Sequence, residues 1–72
     1  MAFFRVRPEG FESLREMVGS DRQIALRCQV DPATLSRVLH GQTEPTARLI
    51  AGVMCAFGQA WINVLFEVVD EQ

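Results

Sequence analysis

Lysine and tyrosine are missing from the 72 residues of this chain, and histidine occurs once. All of its positively charged side chains are therefore arginines. No CxxC motif is present, and His40, Cys28 and Cys55 stand too far apart to suggest a zinc site. We expect the two thiols to be reduced and buried, and we expect no metal and no cofactor.

Catalytic and targeting motifs are also missing. There is no phosphate loop of the GxxxxGK type, and no nucleophile and base stand at a spacing that suits catalysis. A chain this short has little room for a substrate cavity. The amino terminus lacks the apolar core and cleavage site of a signal peptide. These absences predict a cytoplasmic protein that is not an enzyme and has no small-molecule ligand.

One uncharged run is about as long as a short membrane-spanning helix. Leu49 to Phe66 holds 18 consecutive uncharged residues, which is the lower limit of length for a spanning helix. Glycines at 52 and 58 interrupt it, and no basic cluster flanks it to fix an orientation. A buried helix followed by a second apolar element is the better interpretation, and we expect no membrane contact.

Charge is distributed unevenly along the chain. The net charge is -2, yet residues 22–48 hold four arginines against two acids, while residues 49–72 hold three acids and no arginine. A local positive excess matters more for docking on nucleic acid than the whole-chain value.

The composition predicts one domain over residues 1–72. Hydrophobic residues make up 49% of the chain and include five phenylalanines, which suffices for one small core. A chain of this size buries a small share of its surface and often gains stability from a partner subunit. The size of the chain therefore favours self-association.

Two strand-like segments lie near the ends of the chain. Residues 3–7 alternate as FFRVR and stop at Pro8, and residues 64–70 (VLFEVVD) are rich in β-branched and aromatic side chains. Their positions allow antiparallel pairing on the core or across a dimer, since an isolated pair of strands is marginally stable.

Between these strands the hydrophobic spacing predicts four helices. Ser20, Asp31 and Thr46 are suited to cap the second, third and fourth helices, and Pro32 suits the first position of the third. Residues 61–65 form either a last helical turn or the lead into the final strand. The expected inward-facing residues are Phe11, Leu14, Val18, Ile24, Ala25, Cys28, Leu35, Val38, Leu39, Ala47, Ile50, Val53, Met54 and Phe57.

The segment from Ser20 to Pro45 carries a specific pattern. An apolar and a small residue in the second helix (Ile24, Ala25) are followed by an apolar turn residue, a polar cap, the run Thr34 to Val38, and a closing glycine. This pattern resembles the helix-turn-helix of the lambda repressor, Cro and Xre family, over residues 21–40. The resemblance implies a mainly α, compact domain of four to five helices, to which the short terminal strands are additional, and a bacterial or phage origin.

The resemblance also implies a function. In that family the third helix lies in the major groove of DNA, and here it would be residues 32–40. Arg37 is the strongest candidate, because its planar guanidinium can bond both acceptors of a guanine. The expected base-contacting residues are Pro32, Ala33, Thr34, Ser36 and Arg37, and the expected backbone-contacting residues are Arg22, Gln23, His40, Gln42, Thr43 and Thr46.

A homodimer on a palindromic operator is the expected assembly. The apolar residues after the fourth helix outnumber what one small core requires, so Trp61, Ile62 and Phe66 are candidates for the dimer contact. The function predicted is that of a sequence-specific transcriptional regulator that binds double-stranded DNA. The alternative is a helix-turn-helix scaffold used for protein contact, as in antitoxins or anti-repressors, which the acidic balance and Asp21 would suit.

Four further positions depart from the family pattern or stand outside it. Gln29 occupies a turn position where the family often has glycine, so a left-handed backbone is expected there. Arg15 would face Leu39 instead of an acid, which leaves Glu12, Glu16 or solvent as its partner. Arg27 and Arg48 are expected to be solvated helix charges.

Overall fold

The computed structural model describes residues 1–71. The chain forms a strand β1 (Ala2–Val6), four helices, a 3-10 turn (Gln59–Trp61), a short helix and a closing strand β2 (Phe66–Asp70). The helices are α1 (Pro8–Val18), α2 (Asp21–Cys28), α3 (Pro32–Leu39), α4 (Ala47–Ala56) and α5 (Ile62–Leu65). The predicted fold class, mainly helical with two terminal strands, is confirmed.

The two strands pair antiparallel, so the ends of the described chain meet. Ala2 lies opposite Asp70 and Val6 opposite Phe66. The pairing continues at both ends of this ribbon, since the Arg7 amide donates to the Leu65 carbonyl at 2.7 Å and the Glu71 amide to the Met1 carbonyl at 3.0 Å. The ribbon begins one residue earlier than predicted, at Ala2.

The second strand is shorter than its composition predicts. Val64 and Leu65 belong to α5, so residues 61–65 are a helical turn and β2 starts at Phe66. Gly10 of α1 explains the placement, because a Cβ at this position would overlap the backbone carbonyl of Val64. Close packing of α1 on α5 therefore holds this segment in a helical turn in spite of its β-branched residues.

One core joins the helices to β2. Its fully or almost fully buried residues come from every helix and from the first residue of β2; they are Phe11, Leu14, Ile24, Ala25, Cys28, Leu35, Val38, Leu49, Val53, Leu65 and Phe66. The rings of Phe11 and Phe66 meet edge to face, with centroids 5.7 Å apart, an arrangement that aromatic pairs favour.

The buried face of α4 differs from the predicted one. Leu49 and Val53 are buried, whereas the expected core residues Ala47 and Met54 are exposed and Ile50 and Phe57 are partly buried. The reason is Gly52, where a Cβ would overlap the carbonyl oxygen of Cys28 at the end of α2. This close approach of two backbones sets the rotation of α4.

One of the two cysteines, Cys55, differs from expectation. Both are free thiols, but Cys28 is buried while Cys55 is exposed on α4. Burial raises the pKa of the Cys28 thiol from 9.0 to about 11. The apolar run from Leu49 to Phe66 is divided among α4, the 3-10 turn, α5 and β2, and no helix within residues 1–71 is long and apolar enough to cross a membrane.

Candidate nucleic-acid interface

Helices α2 and α3 are each capped at the start by a side chain and are joined by a short turn at Gln29. The Ser20 hydroxyl accepts from the Gln23 amide at 3.2 Å and so caps α2. Gln29 then adopts the left-handed conformation, with φ 60° and ψ 40°. The Asp31 carboxylate accepts from the Ala33 amide at 2.8 Å and caps α3. The predicted caps and the predicted left-handed turn residue are confirmed.

The first half of α3 presents its outer face to solvent. Pro32 stands at the first helical position, and Leu35 and Val38 point into the core. The residues expected to contact bases lie on the opposite side: Pro32, Ala33, Ser36 and Arg37 are exposed and Thr34 is partly buried. The structure therefore gathers these five residues on one accessible face, as an element that enters a groove requires.

Arg37 is held by its neighbour one turn earlier. Its terminal nitrogen donates to the Thr34 hydroxyl at 3.2 Å. This contact fixes one branch of the guanidinium and leaves the side chain at the surface. A partly ordered arginine loses less conformational entropy when it binds a second group.

Ser36 and His40 form a second local contact on α3. His40 Nδ1 lies 2.7 Å from the Ser36 carbonyl oxygen, which can only accept, so Nδ1 carries the proton. The Ser36 hydroxyl lies 3.3 Å from the same nitrogen. Nε2 of His40 is left as the ring nitrogen without a hydrogen bond inside the described chain.

The residues expected to contact the DNA backbone lie on segments before and after α3. Arg22, Gln23, His40, Gln42 and Thr43 are all exposed, at the start of α2 and after α3. Thr46 differs from them, because its hydroxyl accepts from the Leu49 amide at 3.1 Å to cap α4. Its side chain is already engaged as a helix cap.

Arg15 has a partner that the sequence pattern did not predict. Its Nε lies 2.6 Å from Asp21 Oδ1, which joins the end of α1 to the first residue of α2. The expectation that Arg15 would find Glu12, Glu16 or solvent is wrong. The turn Gly19–Ser20 brings the two helix ends together, and Asp21 also suits the positive end of the α2 dipole.

The candidate dimer residues are only partly at the surface. Phe66 has 2% of its surface exposed and packs against Phe11 and Phe4, so it cannot serve as an intermolecular contact. Trp61 and Ile62 are partly buried against the same core. The exposed apolar residues of this region are Val64 of α5 (43% exposed) and, on the ribbon, Phe4 (37%) opposite Val68 (65%).

The ribbon also carries an ion-pair cluster that the sequence analysis missed. Glu67 forms ion pairs with two arginines. Its Oε1 lies 2.6 Å from a terminal nitrogen of Arg5, and its Oε2 lies 3.8 Å from a terminal nitrogen of Arg7. The predicted strand alternation could have indicated the cross-strand pair of Arg5 and Glu67, but not its register. Over residues 1–71, no group of three His, Cys, Asp or Glu side chains stands close enough together to hold a metal ion.

Comparisons with family models, with curated proteins and with solved structures gave no match for this chain.

Proposed function

We propose that the chain is a sequence-specific regulator of transcription that inserts α3 into the major groove of double-stranded DNA. The observation that carries the proposal is the exposed first half of α3, which presents Arg37, Ser36 and Thr34 on one face of a capped helix. The opposite face of the same helix is fixed in the core by Leu35 and Val38. A rigid support of this kind gives side chains the precision that base recognition needs.

Charge near this face supports the same proposal. The Asp21 carboxylate, which would otherwise repel a phosphate, is paired with Arg15. Arg22 follows it directly and is exposed, so the start of α2 offers a cation toward the surface. Phosphate contacts of this kind supply affinity and position the protein, while base contacts supply specificity.

A symmetric dimer would account for specificity with so few base-contacting residues. Two copies of α3 about 34 Å apart would contact two successive major-groove segments, so the operator would be palindromic. The ribbon offers the means of association, because β1 and β2 pair only with each other and each leaves one edge unpaired within the described chain.

The test is selection of binding sites from a randomised duplex pool, followed by titration of the enriched duplex at several salt concentrations. We expect an enriched palindrome, and we expect affinity to fall with a log-log slope of about -0.9 per neutralised phosphate. Replacing Arg37→Ala should relax selection at one base pair and cost about 1–3 kcal/mol of discrimination there. Absence of any enriched sequence, with no binding at low salt, would reject the proposal.

A second candidate function is contact with another protein through the same scaffold. The exposed apolar pair Phe4 and Val68 on the ribbon favours it, because such side chains are more typical of a protein interface than of one with DNA. The salt titration separates the two functions, since only DNA binding should show the steep dependence described above.

A further inference from the structure

We propose that the cleft between the end of α2 and α4 binds a phosphate group through Arg27, Arg48 and Gln29. The cleft has a volume of about 460 Å³ and is lined by Arg27, Cys28, Gln29, Arg48, Ala51, Gly52 and Cys55. No residue of α3 lines it, so it is separate from the face proposed to contact bases. Its volume falls within the usual range for small-molecule sites.

The lining has positive charge without compensation. Arg27 and Arg48 come from different helices and both line this cleft, and no acidic residue does. In the described part of the chain neither arginine has an ion-pair partner, whereas Arg5, Arg7 and Arg15 all have one. Guanidinium groups bind phosphate through paired hydrogen bonds, so two arginines that line one opening suit an anion of this kind.

Arg48 stands where a helix disfavours a cation. It is the second residue of α4, and the first turn of this helix holds no acid. The partial positive charge of a helix amino terminus repels a cation and attracts an anion. An anion in the cleft would therefore stabilise Arg48 at this position, while Arg27, in the last turn of α2, is already at the favourable end of its helix.

Gln29 adds an uncharged donor and a backbone feature. It is the one residue other than glycine with a positive φ in the described chain, and its side chain is exposed at the cleft. A residue with a Cβ is less stable than glycine in this conformation. An amide side chain that can donate to an oxyanion is a physical reason for glutamine at a position that favours glycine.

Two small residues leave little side-chain bulk on the α4 side of the cleft. Ala51 and Gly52 line the α4 side, and Gly52 lets the backbone of α4 rest against Cys28. The cleft thus adjoins the turn that sets the angle between α2 and α3. This site goes beyond the proposed function, and it departs from the expectation that the chain has no small-molecule ligand and that Arg27 and Arg48 are only solvated charges.

The first experiment titrates the isotope-labelled native chain with inorganic phosphate and follows its amide and guanidinium NMR signals, with chloride at equal ionic strength as the reference. We expect saturable shifts at residues 27–29 and 48–52 that chloride does not produce. Arg27→Gln and Arg48→Gln should each weaken phosphate binding about tenfold. Arg5→Gln, which removes the same charge from the ribbon, should leave the phosphate affinity unchanged.

The second experiment separates a free phosphate compound from a phosphate of the DNA backbone. A DNA phosphate as the source rests on the proposed function. In that case the Arg27→Gln/Arg48→Gln variant should reduce the magnitude of the salt slope for the selected duplex by about 0.9. Inorganic phosphate should also compete with the duplex for binding. With a free compound as the source, the salt slope should stay the same, and phosphate and duplex should bind to the chain at the same time.

Two results would overturn the proposal, provided that the salt slope for the selected duplex also stays unchanged. The first is that phosphate and chloride shift the same signals equally. The second is that neither glutamine variant weakens phosphate binding. Far-UV circular dichroism shows whether the variants retain the native fold, and Arg27→Lys and Arg48→Lys, which keep the charge, give a second comparison with intermediate binding expected. Loss of sequence selection in the pool experiment with saturable phosphate binding intact would reject the proposed function and leave this site standing.

Discussion

Arg15 and Asp21 join the last turn of α1 to the first turn of α2, with Nε and Oδ1 2.6 Å apart. Both side chains are partly exposed, at 40% and 47%. The pair spans the turn at Gly19 and Ser20 and so fixes the direction in which α2 leaves α1. It also neutralises the acid that stands beside the proposed backbone contact Arg22.

The strength of this pair can be measured with a double-mutant cycle. We expect Arg15→Ala and Asp21→Asn to show a coupling of about 0.2–1 kcal/mol in the free energy of unfolding, since exposed pairs are weak. The coupling should shrink at high salt. A matched cycle of Arg15→Ala with Glu12→Gln should give no coupling, and a larger value there than with Asp21 would contradict the assignment.

Gly52→Ala tests the contact between α4 and α2. Helix propensity alone predicts that alanine stabilises an α4 position by about 1 kcal/mol. Because the new Cβ would overlap the Cys28 carbonyl oxygen, we expect the opposite sign, a loss of about 1–3 kcal/mol in denaturant unfolding. Ala56→Ser, at an exposed position of the same helix, should change stability by less than about 0.5 kcal/mol. A stabilised Gly52→Ala variant would refute the close approach.

Gln29→Gly tests the left-handed turn. With φ at 60°, glycine should raise the free energy of unfolding by roughly 0.5–1 kcal/mol. The same change removes the proposed amide donor, so phosphate binding should weaken while stability rises. Gln29→Ala is the control: it keeps the Cβ and should not gain stability. Equal stability of the glycine and alanine variants would show that the turn is not left-handed in solution.

Cys28 predicts how stability depends on alkaline pH. Burial raises the pKa of its thiol from 9.0 to about 11. Between these values the unfolded chain loses this proton and the folded chain keeps it, so stability should fall as pH rises from 9 to 11. The slope from this group is at most about 1.4 kcal/mol per pH unit, and below pH 9 the thiol contributes none.

The chain has a composition that makes this measurement clean, because it contains no lysine and no tyrosine that would titrate in the same range. The free energy of unfolding is compared in a Cys55→Ser background with and without Cys28→Ala. The alanine variant should be less stable below pH 9 and should lack the fall above pH 9. An equal fall in both variants would assign the pH dependence to another group.

The helix-turn-helix segment was predictable because its signals are local. A serine, an aspartate and a threonine that cap helices act within three residues, and a left-handed turn position is recognised from its neighbours. The buried positions of α2 and α3 follow the helical period for the same reason. The exposed face of α3 is then simply the remainder of that helix.

The predictions from sequence that were wrong concern contacts between segments that are distant in the chain. The rotation of α4 depends on how closely Gly52 approaches α2, and the helical form of residues 62–65 depends on Gly10 of α1. Neither is visible in the hydrophobic period of its own segment. Burial of Phe66 likewise follows from its position opposite Val6 in the ribbon, where the core receives it.

Phe11 and Phe66 are in contact although most of the described chain separates them in sequence, so the core is completed only late in synthesis. A growing chain that has completed α2, α3 and α4 still lacks Leu65 and Phe66, so α1 has no cover on its outer side. Stable folding of the helix-turn-helix therefore requires residues that do not contact the proposed DNA site. Ribosome-bound chains stopped before residue 65 should therefore be protease-sensitive throughout, and a nonsense mutation far from α3 should abolish the DNA binding proposed for α3.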